Sequence, residues 1–194
     1  LVPVPDSRWH VGVDCCAILS EFAAAKQLLG SKAFLSLASA TGPVVKKYVQ
    51  EHYKPAVWFD DALRIGHSSS VPRVGLYFAG FPCQPFSKSG SQKSFQDQTR
   101  GTLFHDICHL AEKHKPKVLF LENVPHLVKH DGGNTFSVIQ QRIEELGYDF
   151  QWSILSPNKF GVPQVRTRVY IVAIRKDLVK DSNFSFPKEI SDIE

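Results

Sequence analysis

The chain has 194 residues, 43% apolar and 22% charged, which suits one domain with a real hydrophobic core; no apolar run is long enough for a membrane span, and no secretory signal is legible. A net charge of +4 and a pI near 8.9 are compatible with a polyanionic partner, but the excess is too modest and scattered to identify one. The four cysteines, Cys15, Cys16, Cys83 and Cys108, show neither Cys-x-x-Cys spacing nor a Cys/His cluster, so the expectation is no metal and reduced thiols in an intracellular protein. The chain starts at Leu1 and contains no methionine, which leads us to expect a piece of a longer protein.

Seven short apolar runs read as strands: Val11 to Val13, Phe34 to Leu37, Val57 to Phe59, Val74 to Ala79, Val118 to Leu121, Phe150 to Leu155 and Val169 to Ile174. They alternate with amphipathic stretches, the pattern of an α/β domain around a mostly parallel sheet. The segment from Thr102 to Lys113 predicts a helix with Leu103, Ile107, Leu110 and His114 along one side. A second helix carries Phe136, Ile139, Ile143 and Leu146, with Asn134 or Thr135 as N-cap and Gly147 as its stop. Only about a dozen residues, with no helical pattern, join the last two runs, so the last strand is expected to be antiparallel. The Gly/Ser/Lys segment from Ser87 to Gln98 reads as a mobile loop and, lying just after Cys83, as a lid.

Ligands of open α/β sheets sit outside the carboxyl ends of the strands. Three expected strands end in reactive side chains: Asp60 and Asp61 after the third, Cys83 after the fourth, Glu122 and Asn123 after the fifth. Arg166 and Arg168 alternate into the last strand and share one side of it. A cysteine, a carboxyl and arginines suit attack on an electron-poor ring, with thiolate adding to carbon, the acid serving a ring nitrogen, and the cations holding phosphate or orienting the acid. Taken singly, these residues have plainer readings. A lone strand-end cysteine is usually a buried small hydrophobe, Glu122 a surface carboxylate, the two arginines a solvated face, and Asp60 and Asp61 a strand terminus. Cys15, Cys16 and Cys108 read as core or incidental thiols, and His105, His109 and His130 as surface groups.

Four segments then occur in order. They are Gly80-Phe81-Pro82-Cys83-Gln84-Pro85-Phe86-Ser87, Gln96 through Gly101-Thr102-Leu103-Phe104, Glu122-Asn123-Val124, and Phe160-Gly161-Val162-Pro163-Gln164-Val165-Arg166-Thr167-Arg168-Val169-Tyr170. Together they closely resemble the cytosine-5 DNA methyltransferases between about Gly80 and Pro187. The resemblance implies a Rossmann-like S-adenosylmethionine-dependent methyltransferase fold, with residues 1–187 as catalytic domain. Within it, 1–70 would be a degenerate cofactor half and 71–187 the catalytic half, with 188–194 the start of a missing segment. It implies Cys83 as the nucleophile for carbon 6 of a flipped-out cytosine in double-stranded DNA, and Glu122 as the acid at ring nitrogen 3 and the amine. Arg168 would bind the base or its phosphate, with Arg166 and Asn123 fixing the Glu122 loop. Phe81, Pro82, Gln84, Ser87, Asn123 and Gln164 would contact substrate.

Against the family pattern, the first turn reads Val13-Asp14-Cys15-Cys16-Ala17-Ile18-Leu19-Ser20-Glu21 and lacks the glycines that let backbone approach S-adenosylmethionine. Leu37-Ala38-Ser39-Ala40-Thr41 lacks the acid expected for the ribose hydroxyls, leaving Asp60, Asp61 and Pro82 as cofactor contacts. A target-recognition domain and closing helix would have to come from a missing segment or a partner chain. The alternative is a catalytically impaired DNA-binding or regulatory homologue; another Cys-dependent enzyme, such as a hydrolase, lacks a recognisable partner histidine. The compartment would be the nucleus in a eukaryote and the cytoplasm in a bacterium.

Overall fold

Seven strands form one sheet in the computed structural model, which describes residues 8–14, 20–61, 65, 68, 70–81, 103–179 and 184–190. In chain order the elements are β1 (Trp9–Asp14), α1 (Ser20–Leu29), β2 (Ala33–Ser39), α2 (Pro43–His52), β3 (Val57–Phe59) and β4 (Leu76–Gly80). There follow α3 (Leu103–His114), β5 (Val118–Asn123), α4 (Asn134–Glu145), β6 (Tyr148–Leu155), β7 (Arg168–Arg175) and the short α5 (Lys176–Val179). The sheet order is β3-β2-β1-β4-β5-β7-β6. Pairs from β3 to β5 are parallel, and β7 runs antiparallel to both β5 and β6. The expected α/β class, seven strands and antiparallel last strand are all present. That last strand lies inside the sheet, inserted between β5 and β6.

The parallel strands are apolar because both of their faces are covered. On one face Leu37, Tyr77, Leu119, Leu121, Ile171 and Ala173 pack with Phe104, Ile107 and Leu110 of α3 and Ile139 and Ile143 of α4. On the other, Phe22 and Ala25 of α1 and Val49 of α2 join Val11, Val13, Leu35 and Ala38. α1 and α2 are not singled out by periodicity, for a physical reason: α1 is rich in small alanines and α2 buries Val49 alone. Gly147 ends the helical stretch of α4 with φ 89°, as expected, but the N-cap position is Gly133, and Asn134 already lies in the helix.

The fourth strand begins two residues later than its apolar run. Val74 lies beside β1, where the Gly75 N–H donates to the His10 carbonyl at 2.8 Å, and a Cβ added to Gly12 would stand 3.0 Å from both Val74 and Tyr77. Gly12 therefore permits a close crossing that any larger residue would push apart. At the far end of β1, the buried Asp14 carboxylate accepts from the Ser39 hydroxyl and, at 2.7 Å, from the Tyr77 hydroxyl, tying β1 to β2 and β4. Among the described residues no helix is long and apolar enough to cross a membrane.

His114 closes α3 with its Nε2 buried and without a hydrogen-bond partner. Burial holds the imidazole below its usual pKa of 6.5, and Lys113 and His109 add repulsion against a proton. The unfolded chain takes up that proton first, so the stability present above about pH 6.5 falls as the pH drops below it. Urea midpoints measured from pH 7.5 to 5.5 should decline less steeply in His114→Leu than in the parent chain, and equal slopes would refute this assignment.

Candidate active site

The carboxyl ends of β4 and β5 lie side by side, and the antiparallel β7 starts at the same edge. In register, Gly80 faces Glu122, and Glu122 faces Tyr170. Glu122 Oε1 takes the Arg168 Nε at 2.8 Å and lies 3.8 Å from an Arg166 Nη. Arg168 also donates to the Thr167 carbonyl at 2.8 Å, which fixes its guanidinium. The Glu122 and Arg168 side chains are 30% and 20% exposed, against 54% for Arg166. The first pair is thus half-enclosed and charge-assisted, while Arg166 remains a more solvated second cation. Glu122 Oε2 lies 3.6 Å from where a Cβ on Gly80 would stand, so the absent side chain leaves the space over β4 to the carboxylate.

Glu122 and Asn123 are consecutive on a strand and must point to opposite faces. Asn123 is only 3% exposed. Its Nδ2 donates to the Phe81 carbonyl at 2.7 Å, and its Oδ1 accepts from the Val124 N–H at 2.8 Å. It therefore holds the backbone that leads out of β4 toward Pro82 and Cys83. The expectation for Asn123 was a brace on the Glu122 loop; its side chain reaches further, to the chain on the neighbouring strand. The Phe81 ring is in the core against Phe104, at 5.6 Å between centroids, so any substrate contact from Phe81 would come through its backbone.

Gln164 lies in the exposed connection just before Arg166, held by backbone bonds from its N–H to the Val162 carbonyl and from the Asn158 N–H to its own carbonyl. Pro82, Cys83, Gln84, Ser87 and the lid expected over Ser87 to Gln98 lie outside the described residues, as do Gln96, Gly101 and Thr102, and Cys15 and Cys16. Cys108 is buried in α3, and desolvation pushes its thiol up to about 12 despite the opposing Arg142, so it is an inert core residue as expected.

Tyr170, which the sequence did not single out, shares the Glu122 face. Its ring packs on Phe120 at 5.7 Å, and burial first, then the Glu122 charge, raises its phenol pKa and keeps it protonated. Its signal was only its place two residues after Arg168 on an alternating strand.

Asp60 and Asp61 follow β3 at the same carboxyl edge, on the far side of β1 and β2. Asp60 Oδ1 accepts from Lys46 Nζ at 2.7 Å and from Trp58 Nε1 at 2.8 Å, with its side chain 70% exposed. It can be reached by a donor such as an adenine amine. The end of β2 presents the buried Ser39, which donates to Asp14, so no described carboxylate there could take a ribose diol. The described edge thus offers an exposed carboxylate at Asp60 and, at the end of β2, a buried serine. Among the described residues there is no group of three or more His, Cys, Asp or Glu side chains able to hold a metal ion.

A family model described as C-5 cytosine-specific DNA methylase matches residues 43–194. The chain is 43% identical over 148 residues to the Type II methyltransferase M.HhaI of Haemophilus parahaemolyticus, covering 73% of this chain and 43% of that protein. It is 43% identical over 130 residues to the Type II methyltransferase M.MspI of a Moraxella species, covering 67% of this chain and 30% of that one. It thus spans less than half the length of either relative. Among solved structures, the Dnmt2 methyltransferase of S. pombe superposes with a TM-score of 0.66 at 22% identity, over 87% of this chain and 50% of that one. A mutant DNMT2 of Spodoptera frugiperda gives 0.68 at 18% identity, over 93% and 56%. These two likenesses concern the fold alone.

Replacing Asn123 by Ala strands the Phe81 carbonyl and the Val124 N–H together. Loss of about 1–3 kcal/mol in denaturant unfolding is expected, and a variant as stable as the parent would show that the two bonds are dispensable.

Proposed function

The chain belongs to the C-5 cytosine-specific DNA methylase family, and from that premise we propose that it is the catalytic region of a DNA (cytosine-5) methyltransferase. Residues 71–187 would form the catalytic half and residues 1–70 the cofactor half. The observation that carries this reading is the Glu122–Arg168 pair at the carboxyl edge, one strand from the segment that leads to Cys83. A cytosine has an electron-poor ring whose carbon 6 accepts a nucleophile when ring nitrogen 3 is protonated or hydrogen-bonded.

In this scheme the target cytosine leaves the duplex stack and enters the space over Gly80. Cys83, as thiolate, forms a sulfur–carbon bond at carbon 6, and the displaced ring electrons make carbon 5 nucleophilic. Glu122 in its protonated form binds nitrogen 3 and, through its carbonyl oxygen, the exocyclic amine. Arg168 orients that carboxyl and compensates charge at the base or its phosphate, and Arg166 adds a second cation. Asn123 keeps the Phe81 backbone, and hence the path to Cys83, at a set distance from Glu122. S-adenosylmethionine, when bound, supplies an electrophilic methyl group for carbon 5. Asp60 or Asp61 would hold its adenine amine, with Pro82 as a further contact. A water molecule takes the carbon 5 proton, the electron pair of that bond expels the thiolate from carbon 6, and the proton at nitrogen 3 returns to Glu122, which restores the aromatic ring. Phe81, Gln84, Ser87 and Gln164 would complete the substrate contacts. The partner is double-stranded DNA, with a target-recognition segment supplied from elsewhere, and the setting is intracellular.

A second reading has one observation in its favour: the end of β2 offers a buried serine in place of a diol-binding acid. On that reading the chain keeps a base-facing surface but binds cofactor poorly, and acts as a DNA-binding or regulatory partner.

Two experiments separate the readings. With 5-fluorocytosine in duplex DNA, a covalent complex should form only when S-adenosylmethionine is present and should vanish in Cys83→Ser. DNA retention without adduct and without measurable cofactor binding would favour the second reading. Glu122→Gln, which cannot donate an acidic proton to nitrogen 3, should lower kcat by about 10²–10⁴-fold, and an unchanged kcat would remove Glu122 from the mechanism.

A further inference from the structure

The sheet has a second, opposite edge, where the parallel strands begin, and it is lined with cations. Lys54 lies just before β3, Lys32 immediately precedes β2, Arg8 precedes β1, and Lys117 precedes β5. Arg175, the last residue of β7, lies beside Lys117, and its N–H donates to the Lys117 carbonyl at 3.0 Å. Lys115 lies beside them as an exposed residue. From β3 to β7 these residues run across six adjacent strands, five of which contribute a Lys or Arg. At about 4.8 Å per strand, the row is about 24 Å long.

Two aromatic rings hold the centre of this row. The Arg8 guanidinium lies 4.3 Å from the Phe34 ring centroid, and Lys117 Nζ lies 5.2 Å from that of Trp9, whose indole is 38% exposed. Several basic groups nearby already have structural tasks: Lys176 donates to the Glu144 carbonyl at the end of α4, Lys113 to the Ser68 carbonyl, and Arg175 pairs with Asp177. Of the acids at this end, Glu112 and Glu145 both approach Arg142. What projects from the middle of the edge is Lys32, Arg8 and Lys117 around an exposed tryptophan.

We propose that this amino edge is a second docking surface for duplex DNA, gripping the phosphate backbone of a segment other than the one carrying the target base. Lys54, Lys32 and Arg8 stand at the starts of three adjacent strands, one per spacing of about 4.8 Å, and Lys117 follows two spacings further on, a separation comparable to that of successive phosphates of a nucleic-acid strand, about 3.4 Å of rise each. β5 is six residues long, so the two edges are about 20 Å apart, and the same stretch of backbone does not have to serve both. Such a surface would keep the protein on long DNA between encounters at the other edge. That the polyanion is DNA rests on the function proposed above; the row of charges does not.

The test is the salt dependence of binding to a 40-base-pair duplex made only of A·T pairs, which contains no cytosine. Lys32→Gln and Lys117→Gln should each lower the slope of log K against log salt by about 1, and the double variant by about 2. Lys47→Gln, an exposed lysine on α2 away from the row, should leave it unchanged. Equal slopes for parent and double variant, or an equal loss in Lys47→Gln, would overturn the proposal. Melting temperatures of all variants exclude misfolding. The 5-fluorocytosine adduct of the parent reports separately on the catalytic reading, so either can fail without the other.

Discussion

The reversed direction of β7 is the constraint on which the site depends. Parallel strands deliver only their carboxyl ends to the working edge, which here gives Gly80, Glu122 and Asp60. Cations at the start of a strand would ordinarily lie at the other end of the sheet, some 20 Å away. Because β7 is antiparallel to β5, Arg168 begins its strand where Glu122 ends its own, and the two close to 2.8 Å. A half-buried carboxyl group needs such a partner to be held in one orientation. The pairing also explains why the connection before β7 is held by its own backbone bonds at Asn158, Val162 and Gln164: it delivers two arginines, Arg166 and Arg168, to one oxygen.

The Glu122-Asn123 pair shows how strand geometry separates two tasks. The carboxylate faces the arginines, and the amide, on the opposite face, binds the backbone that continues from β4. Each side chain is therefore set by the same two strands, and a shift in the β4–β5 register would exchange their faces. At the other side of the sheet, Asp14 plays a comparable structural part, joining Ser39 and Tyr77 across three strands. That bond network consumes the hydroxyl at the end of β2, which is why the two halves of this edge differ in chemical character.

Much of this was legible in the sequence, because apolar runs such as Val118 to Leu121 and Val169 to Ile174 can be buried on both sides only as sheet strands. The antiparallel last strand followed from a connection too short for a crossover helix. Its inner place, between β5 and β6, did not, since neighbour order depends on contacts between distant segments. The apolar run puts the start of β4 at Val74, whereas the strand begins at Leu76, with the Val74 side chain packed closely over Gly12. Glu122, Arg166 and Arg168 were legible as a set from their motifs, whereas the reach of Asn123 to Phe81 and the Asp14 network join residues 42 and 25 or more positions apart and leave no local pattern. Lys46, which holds Asp60, was invisible for the same reason.

The insertion of β7 also orders events in time. Gly80, Glu122 and Arg168 come from three well-separated parts of the chain, and the strand that unites them is synthesised last. Until it arrives, the apolar β5 is an outer strand with one row of N–H and C=O groups unmatched, and β6 has no neighbour in the sheet at all. An edge of that kind is open to pairing with other chains. Closure of the sheet by β7 therefore removes an aggregation-prone edge in the same step that assembles the acid–arginine pair, and a nascent chain that ends before Arg168 has neither.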